Sequence, residues 1–131
     1  MNAPEQTAEA QRWLRFARED LDAAARLAND RGAVPRHACW LAQQAAEKAI
    51  KAALIWRSIL FPKQHDLDAL AALLPGDLRA RMALPDLAEL TQWAVEARYP
   101  GDAGEATFAD AQTAVGDARR VHDGVSAALR P

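Results

Sequence analysis

Apolar residues recur along this chain at intervals of three and four, the spacing that lines one face of an α-helix. Leu14, Ala17, Leu21, Ala24 and Ala28 form one such stripe, widened by Trp13, Phe16 and Leu27. It predicts a first helix from about Thr7 to Asn29, ended by Asp30-Arg31-Gly32, with Gly32 available for a left-handed cap. A second and longest helix opens near Pro35, a residue suited to a first helical turn, and runs to about Ile59. Leu41, Ala42, Ala45, Ala49, Ala52 and Trp56 make its apolar face, and Phe61-Pro62 breaks it. A short helix from about His65 to Leu74 places Leu67, Leu70, Ala71 and Leu74 inward, and Pro75-Gly76 signals a turn. Asp77 to Met82 is one helical turn, and Leu87 to Ala97 is a further helix carrying Leu87, Leu90, Trp93 and Ala94. Beyond the turn at Tyr99-Pro100-Gly101-Asp102, a final helix starts at Thr107, with Asp110 completing a capping-box variant. Phe108, Ala111, Val115, Ala118, His122, Val125 and Leu129 lie in register along it.

Composition narrows the class. A chain of 131 residues fits one domain, spanning 1–131 with its core at about 8–129, and needs no metal or disulfide to close. Half the residues are hydrophobic, many of them alanine, the best helix former. One Tyr, three Phe and few β-branched residues leave little material for strands. The expected fold is all-α: an up-and-down bundle of three long helices plus short ones. Cys39 is the only cysteine, so no intramolecular disulfide forms and a cytoplasmic location is the expectation. Met1 to Gln11 lacks the features of a signal peptide, and no apolar run approaches the ~20 residues of a membrane span.

Charge is distributed unevenly. Between Arg36 and His65 the chain carries Arg36, Lys48, Lys51, Arg57 and Lys63 against one acid, Glu47, in a protein whose net charge is −2. A basic stretch on an otherwise acidic chain points to an anion site, and phosphate is the usual anion. His37, Gln44, Lys48 and Lys51 are spaced by seven, four and three, so they share one side of the second helix. Such a stripe is ordinarily a solvated face, but the acids that would intersperse it are nearly absent. Lysine ammonium groups receive phosphate as point charges, and the Gln44 amide could read a base or ribose.

Other residues extend or bound that reading. Asp20 falls on the apolar line Trp13, Phe16, Ala24, Leu27, where an unpaired carboxylate is costly. It either pairs with a Lys or Arg of a neighbouring helix or orients a basic residue inside a cleft. His65 is a capping or loop residue, or a donor to phosphate at a helix start. Arg98 and Tyr99 stand where a helix stops, able to grip a phosphate and stack a base, or to pack the bundle end. His122 reads as an edge-of-core or interface histidine, and Cys39 as a small buried apolar residue. No histidine or cysteine spacing suits a metal, and no phosphate-binding glycine loop occurs. No metal and no cofactor are expected.

These residues resemble a known family. The pattern Ala17-x-x-Asp20-Leu21-x-x-Ala24 is followed by His37, by the run Ala42-Gln43-Gln44-Ala45-Ala46-Glu47-Lys48-Ala49-Ile50-Lys51-Ala52, and by His65-Asp66-Leu67-x-x-Leu70. Arg98-Tyr99-Pro100 and a closing alanine-rich helix complete a likeness to the HEPN domain (higher eukaryotes and prokaryotes nucleotide-binding domain) over roughly Ala8 to Leu129. The resemblance implies a helical bundle that usually dimerises and binds nucleotide or RNA in a basic cleft. It also implies a minimal nucleotidyltransferase as partner protein in a toxin–antitoxin-type pair.

Many such toxins are metal-independent RNases with an Arg-x4–6-His motif near the last long helix. Here Arg119 and Arg120 precede His122 too closely for that motif, and only Arg31 and His37 have the spacing, in the loop entering the second helix. The sequence therefore reads as a nucleotide- or RNA-binding homodimer without assigned catalytic residues. The alternatives are an RNase toxin using an irregular set such as His37, His65, Arg98 and Tyr99, and a structural dimeric bundle facing an acidic protein partner.

Overall fold

The computed structural model describes residues 2–97, 100–101 and 104–130, which form seven helices and, among the described residues, no strand. The long ones are α1 (Ala3–Ala28), α2 (Pro35–Trp56) and α7 (Phe108–Ala128). Between α2 and α7 lie α3 (Leu67–Ala71), α4 (Gly76–Met82), α5 (Ala88–Thr91) and α6 (Trp93–Glu96). The three long helices pack on one another, α4 lies on α7, and α3 and α6 lie on α2. The architecture is the all-α bundle that the periodicity predicts.

Helix α1 starts one turn earlier than its apolar stripe, because polar capping starts it. Glu5 N donates to Asn2 Oδ1 at 2.9 Å and Asn2 N donates to Glu5 Oε2 at 3.2 Å, a reciprocal box that satisfies two end donors. Its far end is not closed by a left-handed glycine: positive φ occurs, among the described residues, at Ser58, Ala83 and Gly104. Instead Gly32 N donates to Asp30 Oδ1 at 2.8 Å in an Asx turn, and Gln112 Nε2 of α7 donates to the Ala28 carbonyl at 2.7 Å. The Arg31 guanidinium stacks 4.0 Å from the Phe108 ring centroid and ties the same loop to α7.

Helix α2 is the central rod. Alanines 38, 42, 45, 46, 49, 52 and 53 are fully buried around nearly its whole circumference, as expected of a helix enclosed by neighbours. Against it α1 lays Ala10, Leu14, Ala17, Leu21, Ala24 and Ala28. Small side chains on both partners let the axes approach closely. Phe16 departs from the expected stripe, being 44% exposed, whereas Trp93 is buried.

The end of α2 aims the following loop. Ser58 N donates to Ile55 O at 3.0 Å and Ile59 N to Leu54 O at 2.9 Å, the paired bonds of a Schellman motif. Ser58 takes its left-handed position at φ 59°, where glycine would be unstrained. The helix therefore stops at Trp56, and the chain turns back across the α2 surface. The stretch 87–97 is two four-residue helices meeting at Gln92 rather than one. At α7 the capping box is complete, with Asp110 N donating to Thr107 Oγ1 at 3.0 Å and Thr107 N to Asp110 Oδ2 at 2.8 Å. Among the described residues no helix is long and apolar enough to cross a membrane.

Candidate functional site

The polar side of α2 is graded in depth. His37 is exposed near its start, Gln44 and Lys48 are half-buried, and Lys51 is only 8% exposed. Helical spacing puts the four residues on one side, but α1 contributes Asp20 at Lys48 and the loop after Ser58 contributes Phe61 and His65 around Lys51 and Glu47.

Lys51 therefore corrects the sequence expectation of a phosphate-facing ammonium. Its Nζ donates to Glu47 Oε2 at 3.0 Å and lies 5.5 Å from the Phe61 ring centroid. Glu47, almost fully buried, is the hub of a network. Its Oε1 accepts from Gln43 Nε2 at 3.2 Å and contacts His65 Nδ1 at 2.9 Å. Gln43 Nε2 also donates to the His65 carbonyl at 3.1 Å, and Gln44 Nε2 donates to Gln43 Oε1 at 2.9 Å. A buried carboxylate is tolerable only when paired and hydrogen-bonded, and here both oxygens are. The network clasps the 57–66 loop to α2.

His65 does not sit at a helix start open to phosphate. Asp66 is the N-cap of α3, and its Oδ1 accepts from Asp68 N at 2.9 Å and Ala69 N at 3.3 Å. The helix-start donors are already occupied by a carboxylate.

The basic stripe is largely neutralised from other elements, which the linear pattern does not reveal. Arg36 meets Glu105 at 3.7 Å, Lys48 meets Asp20 at 2.6 Å, and Arg57 meets Asp77 at 3.5 Å, besides Lys51 on Glu47. The Arg36 and Arg57 pairs are exposed and contribute little. Asp20 and Lys48 are each about one-quarter exposed and join α1 to α2. A single short bond uses one of the three ammonium donors of Lys48.

Beside that pair opens a groove of about 280 Å³ lined by Glu9, Arg12, Trp13, Phe16 and Lys48. Two aromatic rings and two cations share its wall with one acid. Glu9 Oε1 accepts from Trp13 Nε1 at 2.9 Å, which fixes the indole, and Arg12 Nη1 lies 3.9 Å from Glu9 Oε2. Arg15 stands 5.2 Å from the Phe16 ring centroid. The apolar periodicity places Trp13 and Phe16 on the core stripe, whereas the fold sets both on the groove wall with Glu9 and Arg12. The available signal was the i, i+4 placing of Glu9 and Trp13 beside an aromatic three residues on.

The remaining candidates lie elsewhere. His122 is buried, its Nε2 has no hydrogen-bond partner, and its Nδ1 lies 3.4 Å from Ser126 Oγ. Burial, reinforced by Arg18, lowers its pKa despite the opposing carboxylates of Asp123 and Asp22. Burial, with Asp110 nearby, pushes the Cys39 thiol up to about 12, so it stays protonated and unreactive. Arg98 and Tyr99 lie outside the described residues. Among the described residues no three His, Cys, Asp or Glu side chains are grouped to hold a metal ion.

Comparison with known proteins gives a consistent family. The HEPN domain profile matches residues 10–127. A solved structure of TT1696 from Thermus thermophilus is 30% identical, covers 89% of this chain and 95% of its own, and superposes with a TM-score of 0.76. ST0689, described as an archaeal HEPN homologue, is 25% identical over 92% of this chain and 98% of its own, with a TM-score of 0.68. No curated protein matches the chain.

Proposed function

The chain belongs to the HEPN domain family, and on that premise we propose that it binds a nucleotide, or the phosphate of an RNA, on the α1–α2 face around Lys48. The observation that carries this reading is the position of Lys48, held by Asp20 at 2.6 Å at the edge of a groove that also presents Arg12 and two aromatic rings. Cations next to stacking surfaces are what a nucleotide requires: charge for phosphate and a flat apolar face for a base. Asp20 orients the ammonium and leaves two of its donors for a ligand. Gln44 and His37 continue the same side of α2 outward. Lys51 and His65 leave the direct contact set, because Glu47 holds both.

Titration calorimetry with ATP, GTP and short single-stranded RNA at two salt concentrations tests the reading. Binding should be weak and salt-sensitive, and Lys48→Glu should abolish it while circular dichroism stays unchanged. Parent-like binding by Lys48→Glu overturns the site.

The same reading makes the protein a cytoplasmic homodimer and the partner of a minimal nucleotidyltransferase in a toxin–antitoxin-type pair. Half-buried Trp40, Trp56 and Phe61, with exposed Leu60, supply apolar surface for association away from the groove residues Trp13 and Phe16. A monomer in sedimentation at micromolar concentration counts against the dimer. Co-purification with the nucleotidyltransferase of an adjacent reading frame tests the pairing.

A second reading, metal-independent RNA cleavage, is favoured by one observation. His65 holds Nδ1 2.9 Å from the Glu47 carboxylate on a side chain that is half exposed, and a histidine oriented by a carboxylate is a common arrangement for proton transfer. RNA cleavage by metal-free protein that His65→Ala eliminates would establish this activity. Intact RNA overturns this second reading.

A further inference from the structure

The groove on α1 contains one residue that contact with phosphate alone does not call for. Glu9 places a carboxylate between Arg12 and Trp13, close to where Lys48 presents its charge. A negative group there repels phosphate and requires hydrogen-bond donors from whatever occupies the groove. Its Oε1 already accepts one bond, from the Trp13 indole at 2.9 Å, and this locks the acid and the ring in one arrangement. Both carboxylate oxygens retain lone pairs, and the Glu9 side chain is about 30% exposed, so a ligand can reach them.

The nucleobases differ in what they offer such a group. Guanine presents two adjacent donors, N1–H and the 2-amino group, matched to the two oxygens of a carboxylate. Adenine presents one amino donor beside an acceptor nitrogen, and cytosine does the same. Uracil has one N–H donor flanked by two carbonyl acceptors, which would face the carboxylate unfavourably. Resting on the nucleotide-binding reading above, we propose that Glu9 is a specificity determinant that selects a guanine nucleotide. The base lies against Trp13 and Phe16, its donor edge meets Glu9, and its phosphate meets Arg12 and Lys48. The groove of about 280 Å³ is at the small end of ligand sites and suits a base with its sugar, not a folded peptide.

Calorimetric titration of the full chain with GMP, IMP, AMP and inorganic phosphate, for the parent and Glu9→Gln, provides the test. The glutamine keeps an oxygen for the Trp13 indole, so the ring stays in place. The parent should bind GMP about tenfold tighter than AMP, with IMP, which lacks the 2-amino donor, between them. Glu9→Gln should lose most of that preference while holding AMP at least as well, and Trp13→Ala should weaken both. Equal GMP and AMP affinities in the parent, with Lys48→Glu still abolishing both, overturn the guanine assignment and leave the binding site standing. Absence of any nucleotide binding overturns both. A groove filled by a second copy would show itself otherwise: Phe16→Asp would dissociate a dimer, with GMP affinity unchanged, and that outcome also overturns the proposal.

Discussion

Replacing Gly124 with alanine introduces a methyl group where α7 packs tightly on the end of α4. An ideal Cβ at this position lies 2.1 Å from the Met82 carbonyl oxygen and 3.1 Å from its carbon. Carbon and oxygen in close contact ordinarily stay about 3.3 Å apart, so the two helices must separate by roughly an ångström. The obstacle is backbone at the last residue of α4, which no rotamer change relieves. Overpacking of this kind costs about 1–3 kcal/mol and sometimes more, and a rigid backbone contact belongs at the upper end. Alanine returns about 1 kcal/mol of helix propensity, so the net loss is about 2 kcal/mol. Gly116, on the same helix, provides the control, since a Cβ there meets nothing within 4 Å. Gly116→Ala should gain up to about 1 kcal/mol, so the two variants should differ by roughly 3 kcal/mol. Urea denaturation followed by circular dichroism measures the difference. In thermal melts Gly124→Ala should fall and Gly116→Ala rise by several degrees. Equal stability of the two variants would refute the close approach of α7 to α4.

Three further outcomes follow from particular contacts. Ala83 closes α4 in the left-handed region at φ 47°, so Ala83→Gly should stabilise the protein by about 1 kcal/mol in urea titration, against a loss if the residue were in right-handed helix. Lys51→Met leaves Glu47 buried without its lysine and should cost about 3 kcal/mol, whereas the double variant Lys51→Met with Glu47→Gln should recover much of it; equal costs for single and double would show that the pair is not coupled. The pKa of His122 is lowered in the fold below 6.5, so the unfolded chain binds its proton first. Its contribution to stability is complete above about 6.5 and is lost as pH falls through the lower folded value, a slope that His122→Phe should remove from urea midpoints measured between pH 7 and 5.

The local pattern by itself determined the helices and the class of fold. A repeat of three and four, an alanine-rich composition and the Thr107–Asp110 cap are short-range properties, and each acts the same way in any surroundings. The likeness to the HEPN family was equally legible, because the run Ala42 to Ala52 and the shorter patterns before and after it are linear features of the chain. What those side chains do was decided by tertiary structure. On the isolated α2, Lys51 and Lys48 look like equivalent cations with one acid nearby. In the folded chain the Schellman turn at Ser58 brings Phe61 to Lys51 and His65 to Glu47, with Lys51 buried against that acid, while α1 brings Asp20 to Lys48. The groove likewise exists only because α1 and α2 cross with Trp13 and Phe16 partly outside the seam. Helical periodicity determines which residues share a side, but burial and charge pairing depend on elements far away in the chain, and those distances close only on folding.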